Sequence, residues 1–153
     1  MKFLNMILGG YFGSRLMSSI REEKGYTYGI GSSICSLKNA AYLQITTQTD
    51  CKYTRPLIEE VYRQIELLQQ ELVGPEELER VRNYSIGQFC RSLESPFAIA
   101  DAYISLLVNQ SDTSTLFRLL DSIQTTTAEE IRDLAVRALS KEQFYEVVAG
   151  KMQ

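Results

Sequence analysis

The chain has 153 residues, 44% of them hydrophobic, a length that fits one globular domain and leaves no room for a second full one. Its 16 basic and 19 acidic residues are interspersed and give a net charge of −3, which provides no electrostatic footprint for nucleic acid or an anionic membrane. The sequence contains no histidine. Catalytic triads with an imidazole base and histidine-based zinc helices are therefore excluded for this chain.

The first third of the chain predicts a glycine turn followed by a short helix. Gly9–Gly10 breaks the preceding segment, and we expect the Ser14 side chain to cap the backbone N–H groups of the new helix. Leu16 and Ile20 lie one turn apart on its apolar face. Lys24–Gly25 should end the helix, because glycine adopts the left-handed C′ conformation easily and a cation suits the helix C-terminus.

After this glycine the period changes to two, which predicts a β-strand. One face carries Tyr26, Tyr28 and Ile30, and the other carries Thr27, Gly29, Gly31 and Ser33. A strand face of glycine and small hydroxyl residues often lets another backbone approach closely. Arg21 lies in the last helical turn, seven residues before Tyr28. A helix that turns directly into a strand can bring these two side chains together.

This stretch resembles a known family. The strings Leu8-Gly-Gly, Ser14-Arg-Leu and Ile20-Arg-Glu-x-Lys-Gly-x-x-Tyr28 are similar to the second, non-zinc domain of insulinase/pitrilysin-type metallopeptidases, which include mitochondrial processing peptidase and its bacterial relatives. In that family an arginine and the tyrosine seven places later reach the substrate held at the zinc of the first domain. The resemblance places these substrate-binding roles on Arg21 and Tyr28. It also implies that this chain holds no cofactor and that zinc belongs to another domain.

The residues themselves leave alternatives open for this pair. Arg21 could form an ion pair with an acidic residue three or four positions away on the helix. Tyr28 could be a half-buried strand aromatic that packs on Tyr42. In a clamp, by contrast, the guanidinium and the phenol would each donate a hydrogen bond to a peptide carbonyl, which positions a substrate without cutting it.

The rest of the chain predicts a hairpin followed by helices. Ala40–Thr49 alternates again, and Ser36–Asn39 is short enough to connect two antiparallel strands. From about residue 55 to about residue 140 the apolar spacing is helical, with breaks at Gly74–Pro75 and Ser95–Pro96. Phe144–Gly150 predicts a closing strand. This order predicts an α+β fold, a small, mostly antiparallel sheet with helices packed on one face.

Two further groups of residues have ordinary structural interpretations. Three acidic pairs are expected on solvated helix faces or in first turns, namely Glu59–Glu60, Glu76–Glu77 and Glu129–Glu130. The three cysteines are Cys35, Cys51 and Cys90. Their odd number and lack of short paired spacing predict buried reduced thiols rather than a disulfide framework or a cysteine zinc site.

We expect residues 1–153 to form a single domain, the N-terminally truncated second domain of a two-domain peptidase. The resemblance implies that it clamps an extended peptide or unfolded protein for hydrolysis at a zinc site supplied by another domain, in cis or in trans. The alternatives are a non-catalytic structural or assembly subunit, or a peptide-binding module that adds strands to its sheet edge. Missing upstream strands would leave an open sheet edge, which predicts pairing into a homodimer. No nucleic-acid or membrane partner is expected, and the sequence does not indicate a compartment.

Overall fold

A computed structural model describes residues 1–37 and 40–150. The chain divides into two units, one formed by Met1–Val73 with Glu129–Gln153 and the other by Gly74–Ala128. Within the described residues, no helix has both the length and the apolar character needed to cross a bilayer.

The first unit begins with two helical segments that supply much of its core. Helix α1 spans Lys2–Asn5 and continues as a π-helical turn over Met6–Gly10. A second π-helical segment, Met17–Glu23, carries Arg21 and is called the Arg21 helix below. The fully buried apolar side chains of this region are Leu4, Ile7, Leu8, Leu16 and Ile20. The predicted Ser14 cap is wrong, because the Ser14 backbone carbonyl accepts from the Ser18 N–H at 2.9 Å, whereas the buried Ser14 hydroxyl has no hydrogen-bond partner among the described residues.

The predicted antiparallel hairpin is confirmed. Strand β1 (Thr27–Ser36) pairs with β2 (Ala41–Thr49) in a two-stranded antiparallel sheet. The pairing is regular from Ile30 opposite Thr47 to the last pair of the hairpin, and it is shifted between Thr27 and Ile30. The expected turn residues 38–39 lie outside the described part of the chain.

The helices approach β1 closely at Gly9. A Cβ atom placed on Gly9 would lie 2.7 Å from the Ser32 Oγ and 2.9 Å from the Ser32 backbone nitrogen. Gly31 is also near, since its Cβ would lie 3.6 Å from the Gly9 carbonyl oxygen. The predicted close approach to this strand therefore exists. Its tightest contact is at Ser32, and this contact is possible because the facing residue of the helical segment, Gly9, has no side chain.

The long helices of the first unit are α2 (Thr54–Gln70) and α6 (Ala128–Ala138). Short 3₁₀ turns, Cys51–Tyr53 and Lys141–Gln143, flank this region. Gln69 joins α2 to the end of α6, because its Nε2 donates to the Leu139 carbonyl at 2.9 Å. The apolar residues buried on these two helices are Leu57, Ile65, Leu68, Ile131 and Ala135.

The second unit consists of helices α3 (Pro75–Arg91), α4 (Pro96–Val108) and α5 (Ser114–Thr125). Their starts agree with the predicted breaks, and the Ser95 hydroxyl caps α4 by accepting from the Ala98 N–H at 3.1 Å. Arg82 satisfies backbone carbonyls at the end of α5, donating to Ile123 at 3.2 Å and to Thr126 at 3.0 Å.

The α+β fold class predicted from the sequence is confirmed by this order of helices and an antiparallel hairpin. The predicted closing strand Phe144–Gly150 is wrong. A strand needs a neighbouring backbone with which to pair, and within the described residues the sheet contains β1 and β2 alone. Tyr145 and Val147 are 94% and 90% exposed, and Phe144 instead contacts the Tyr62 ring edge-on at 6.2 Å.

The cysteines also differ from expectation in part. No disulfide joins Cys35, Cys51 and Cys90, but the prediction that they are buried is wrong, because Cys51 and Cys90 are exposed and Cys35 is half-buried. Cys51 lies in the 3₁₀ turn before α2, and Cys90 is at the end of α3, so neither position belongs to an apolar core.

Candidate functional site

The Arg21 helix ends in a tight reversal that leads directly into β1. Gly25 has a φ of +62°, the left-handed conformation predicted for a C′ glycine. The Lys24 N–H bonds to the Ser19 carbonyl at 3.1 Å, and the Tyr26 N–H bonds to the Ile20 carbonyl at 3.0 Å. These bonds satisfy the last helical carbonyls, so the chain can turn from helix to strand within three residues.

Arg21 is fixed at this reversal by its own backbone surroundings. Its Nε donates to the backbone carbonyl of Tyr28 at 2.9 Å. Its guanidinium carbon also lies 4.8 Å from the centre of the exposed Phe12 ring, a cation–π distance. Among the described residues, the carboxylate within ion-pair distance is that of Glu22, 3.9 Å from Nη1, and the two side chains are 36% and 48% exposed. No bidentate carboxylate therefore occupies the guanidinium within the described residues, and the ion pair three or four residues away is not formed.

Tyr28 points into solvent from the start of β1. Its side chain is 102% exposed, so it does not pack on Tyr42, which pairs with Cys35 farther along the hairpin. Strict alternation would put Tyr28 on the same face as Ile30, yet Ile30 is only 5% exposed. The difference arises from the shifted register between Thr27 and Ile30, where an extra residue in β1 interrupts the alternation.

The structure thus brings the two predicted site residues together through the main chain. The Nε of Arg21 is used to hold the Tyr28 carbonyl. The remaining guanidinium N–H groups and the Tyr28 hydroxyl make no hydrogen bond within residues 1–37 and 40–150, so they can donate to an external acceptor.

A buried carboxylate that the sequence interpretation placed in solvent supports this helix from behind. Glu60 of α2 is 5% exposed. It accepts hydrogen bonds from the Ser19 hydroxyl, from Arg63 at 2.6 and 2.8 Å and from Gln64 at 2.8 Å, and Lys24 lies 3.4 Å away. The expectation of a solvated Glu60 is therefore wrong.

The ionisation of this carboxylate follows from its contacts. Burial by itself would raise the pKa of Glu60, but the hydrogen bonds donated by Arg63, Gln64 and Ser19, together with the Arg63 charge, lower it to about 2. Glu60 is thus an anion at neutral pH. A sequence signal existed, because Glu60 and Gln64 fall at helical spacing on the same stripe as Leu57 and Leu68, which are buried.

The residues of this chain do not fit a zinc site. Histidine is missing from the whole sequence. Over residues 1–37 and 40–150, no three cysteine, aspartate or glutamate side chains lie close enough together to hold a metal ion. The chemistry that the Arg21 and Tyr28 side chains themselves offer is hydrogen-bond donation.

Comparison with known proteins points to one family. Residues 1–85 match the family described as the peptidase M16 inactive domain. Over 92 residues, 60% of this chain, the sequence is 32% identical to the uncharacterized zinc protease YmxG of Bacillus subtilis (strain 168), of which it spans 22%.

Solved structures show the same fold. The M16 inactive domain structure from Pseudomonas fluorescens superposes with a TM-score of 0.81 at 24% identity, over 90% of this chain and 33% of that one. A protease from Helicobacter pylori gives a TM-score of 0.83 at 19% identity, over 93% of this chain and 34% of that one. The chain therefore spans about a third or less of the length of these relatives.

Proposed function

Because the chain belongs to the family of peptidase M16 inactive domains, we propose that it is the substrate-holding domain of a zinc endopeptidase whose metal site is supplied by another domain. In this proposal Arg21 and Tyr28 hold an extended peptide or unfolded protein segment by donating hydrogen bonds to its backbone carbonyls. The zinc domain is joined in cis or recruited in trans. The chain itself carries out no bond cleavage.

The observation that carries the proposal is the arrangement of Arg21 and Tyr28. Both are anchored at one point by the bond from the Arg21 Nε to the Tyr28 carbonyl at 2.9 Å. The Tyr28 side chain is 102% exposed and the Arg21 side chain is 36% exposed. The bond places an exposed phenol beside a guanidinium, so two kinds of hydrogen-bond donor are held at one place on the chain.

The anchoring favours orientation of a substrate. The bond through Nε and the contact with Phe12 restrict the guanidinium before any ligand arrives, so less side-chain entropy is lost on binding. A planar guanidinium can donate through Nε to its own chain and through Nη to a peptide at the same time. Holding the scissile region in register raises the rate through orientation, which can be a large effect.

The test is peptide hydrolysis by the complete protein that contains this domain. We expect Arg21→Ala and Tyr28→Phe each to lower kcat/KM by roughly ten- to a thousandfold, the order expected for a lost positioning hydrogen bond. Zinc content and the melting temperature should change little.

Two matched controls lie on the same chain. Arg55→Ala removes an arginine that is 84% exposed, and Tyr145→Phe removes the hydroxyl of a tyrosine that is 94% exposed. If the Arg21 and Tyr28 variants cleave peptide as well as these controls do, the clamp is refuted and a scaffold role is favoured.

A further inference from the structure

We propose that Thr27 and Thr47 are positioning residues that hold a β-bulge and thereby set the direction of Tyr28. The functional part of this inference rests on the proposed role of Tyr28 in substrate binding. Its structural part concerns the bulge alone and can be tested separately.

The bulge follows from the pairing of the two strands. Thr27 lies opposite Thr49, and Ile30 lies opposite Thr47. Tyr28 and Gly29 therefore stand opposite the single residue Gln48, which is one residue more on β1 than on β2. Such an insertion takes backbone groups out of the regular ladder, and these groups need other partners.

The two threonine hydroxyls provide those partners. The Gly29 N–H donates to the Thr27 Oγ1 at 3.1 Å, and the Gly29 carbonyl lies 2.9 Å from the Thr47 Oγ1. A hydroxyl has one proton to donate. We assign the Thr27 proton to the Gln48 carbonyl at 2.6 Å and the Thr47 proton to the Gly29 carbonyl. With the Tyr28 carbonyl bonded to Arg21, the N–H of Gly29 and the carbonyls of Tyr28, Gly29 and Gln48 each have a partner.

These bonds specify geometry more than they add stability. The groups around Gly29 are exposed, so water can replace a lost hydroxyl at small net cost. Without the hydroxyls, however, the bulge loses the groups that distinguish it from a regular register. In a regular register Tyr28 would share the face of Ile30, which is 5% exposed, instead of standing in solvent.

Valine replaces threonine with the same branched shape and similar strand propensity, so it removes the hydroxyl alone. The chain offers a matched control, because Thr46 is the adjacent residue of the same strand, is exposed, and its hydroxyl makes no hydrogen bond within the described residues. In the complete protein we expect Thr47→Val to lower kcat/KM for peptide cleavage by about three- to thirtyfold, as expected for a displaced binding group. Thr47→Ser should recover most of this loss, and Thr46→Val should cause none.

A double-variant cycle tests whether Thr47 acts through Tyr28. If it does, adding Thr47→Val to Tyr28→Phe should cause little further loss, because the group being positioned has already been removed. If the fold-decreases in kcat/KM of the two single variants simply multiply in the double variant, the inference is overturned, while the proposed function of Tyr28 remains intact.

A spectroscopic readout separates the inference from the proposed function. With 3-fluorotyrosine incorporated in the complete protein, the ¹⁹F signal of Tyr28 is identified as the one missing in Tyr28→Phe. We expect Thr47→Val to shift or broaden this signal and Thr46→Val to leave it unchanged. If Tyr28→Phe does not affect cleavage, the proposed function fails, and the ¹⁹F result alone decides whether Thr47 holds the bulge. An unchanged ¹⁹F signal in Thr47→Val would overturn the inference.

Discussion

Ser19 of the Arg21 helix donates its hydroxyl proton to the buried carboxylate of Glu60 on α2, across 41 residues of sequence. Lys24, just past the end of the same helix, lies 3.4 Å from that carboxylate. Glu60 thus connects both the buried side and the end of the Arg21 helix to α2. The orientation of Arg21 depends on this connection, because the helix is short and its bonding is of the less stable π type.

Replacing this carboxylate should destabilise the fold. We expect Glu60→Gln to lower the free energy of unfolding at pH 7 by roughly 2 kcal/mol, since an amide keeps the shape but loses the charge-assisted bonds with Arg63 and Lys24. Glu59→Gln is the matched control, because Glu59 is 70% exposed and its ion-pair partner within residues 1–37 and 40–150 is Arg55, 3.5 Å away. It should change stability by less than about 0.5 kcal/mol. Chemical denaturation of both variants checks this, and equal effects would contradict it.

The lowered pKa of Glu60 also predicts that the free energy of unfolding depends on pH. Its pKa is lowered from 4.5 to about 2 in the folded state, so the unfolded chain takes up the proton first as the pH falls. The stabilisation by Glu60 is therefore complete above a pH of about 4.5 and is lost as the pH falls from about 4.5 to about 2. The free energy of unfolding lost over this range is up to roughly 3 kcal/mol. We expect the stability difference between wild type and Glu60→Gln to shrink over this range. Denaturation at a series of pH values measures it, and a constant difference would contradict the prediction.

Two glycines should respond in opposite ways to alanine. Gly25 has a φ of +62°, so alanine there is strained even though, apart from its chain neighbours, no described residue has an atom within 4 Å of an added Cβ. We expect Gly25→Ala to cost about 1 kcal/mol. Gly87 lies inside α3, where a Cβ would meet the Arg91 Nη1 at an ordinary 3.8 Å. Gly87→Ala should raise the free energy of unfolding by about 0.5–1 kcal/mol, because alanine has a higher helix propensity than glycine. The changes in the free energy of unfolding should therefore have opposite signs, and a stabilising Gly25→Ala would show that the left-handed turn is not formed.

Gly9 offers a test of close packing. Alanine at this position would place its Cβ 2.7 Å from the Ser32 Oγ and 2.9 Å from the Ser32 backbone nitrogen. A backbone atom cannot rotate away as a side chain can, so we expect Gly9→Ala to cost about 1–3 kcal/mol by overpacking. Adding Ser32→Ala should relieve only part of this cost, because the contact with the backbone nitrogen remains. Full recovery in the double variant would mean that the side chain alone makes the clash.

The parts of the fold that the sequence predicts correctly are those marked by local residues. Gly25 marks the end of the Arg21 helix, and Gly74–Pro75 and Ser95–Pro96 mark the starts of α3 and α4. Each of these signals depends on residues that are close together in the sequence, so it can be recognised without knowledge of the rest of the fold. The existence and type of the main helices and of the hairpin follow from them and from the apolar period.

The parts that sequence reasoning missed depend on distant partners. Glu60 can remain charged where it is buried in part because Ser19, 41 residues away, donates a hydrogen bond to it. The bulge at Tyr28 is defined by what lies opposite it on β2, and alternation within β1 gives the wrong face. Phe144–Gly150 has strand-like residues, but its conformation depends on whether another strand is available to pair with it. The motif located Arg21 and Tyr28 in the sequence, but the link from the Arg21 Nε to the Tyr28 backbone could not be derived from residue spacing.

That link predicts that lysine cannot replace Arg21. In the proposed clamp, Arg21 uses Nε for the Tyr28 carbonyl and keeps its Nη groups for the substrate. Lysine keeps the positive charge, but it has one terminal nitrogen and no second donor on its stem, so it cannot serve both acceptors in the same geometry. It also loses the guanidinium whose carbon lies 4.8 Å from the centre of the Phe12 ring.

We therefore expect Arg21→Lys in the complete protein to lower kcat/KM for peptide cleavage at least tenfold, nearly as much as Arg21→Ala. Arg55→Lys, at a position that is 84% exposed, should leave cleavage and stability unchanged. If Arg21→Lys retains activity within about twofold of wild type, a positive charge alone is sufficient at this position. The bond to the Tyr28 carbonyl would then be a structural contact with no part in orienting the substrate.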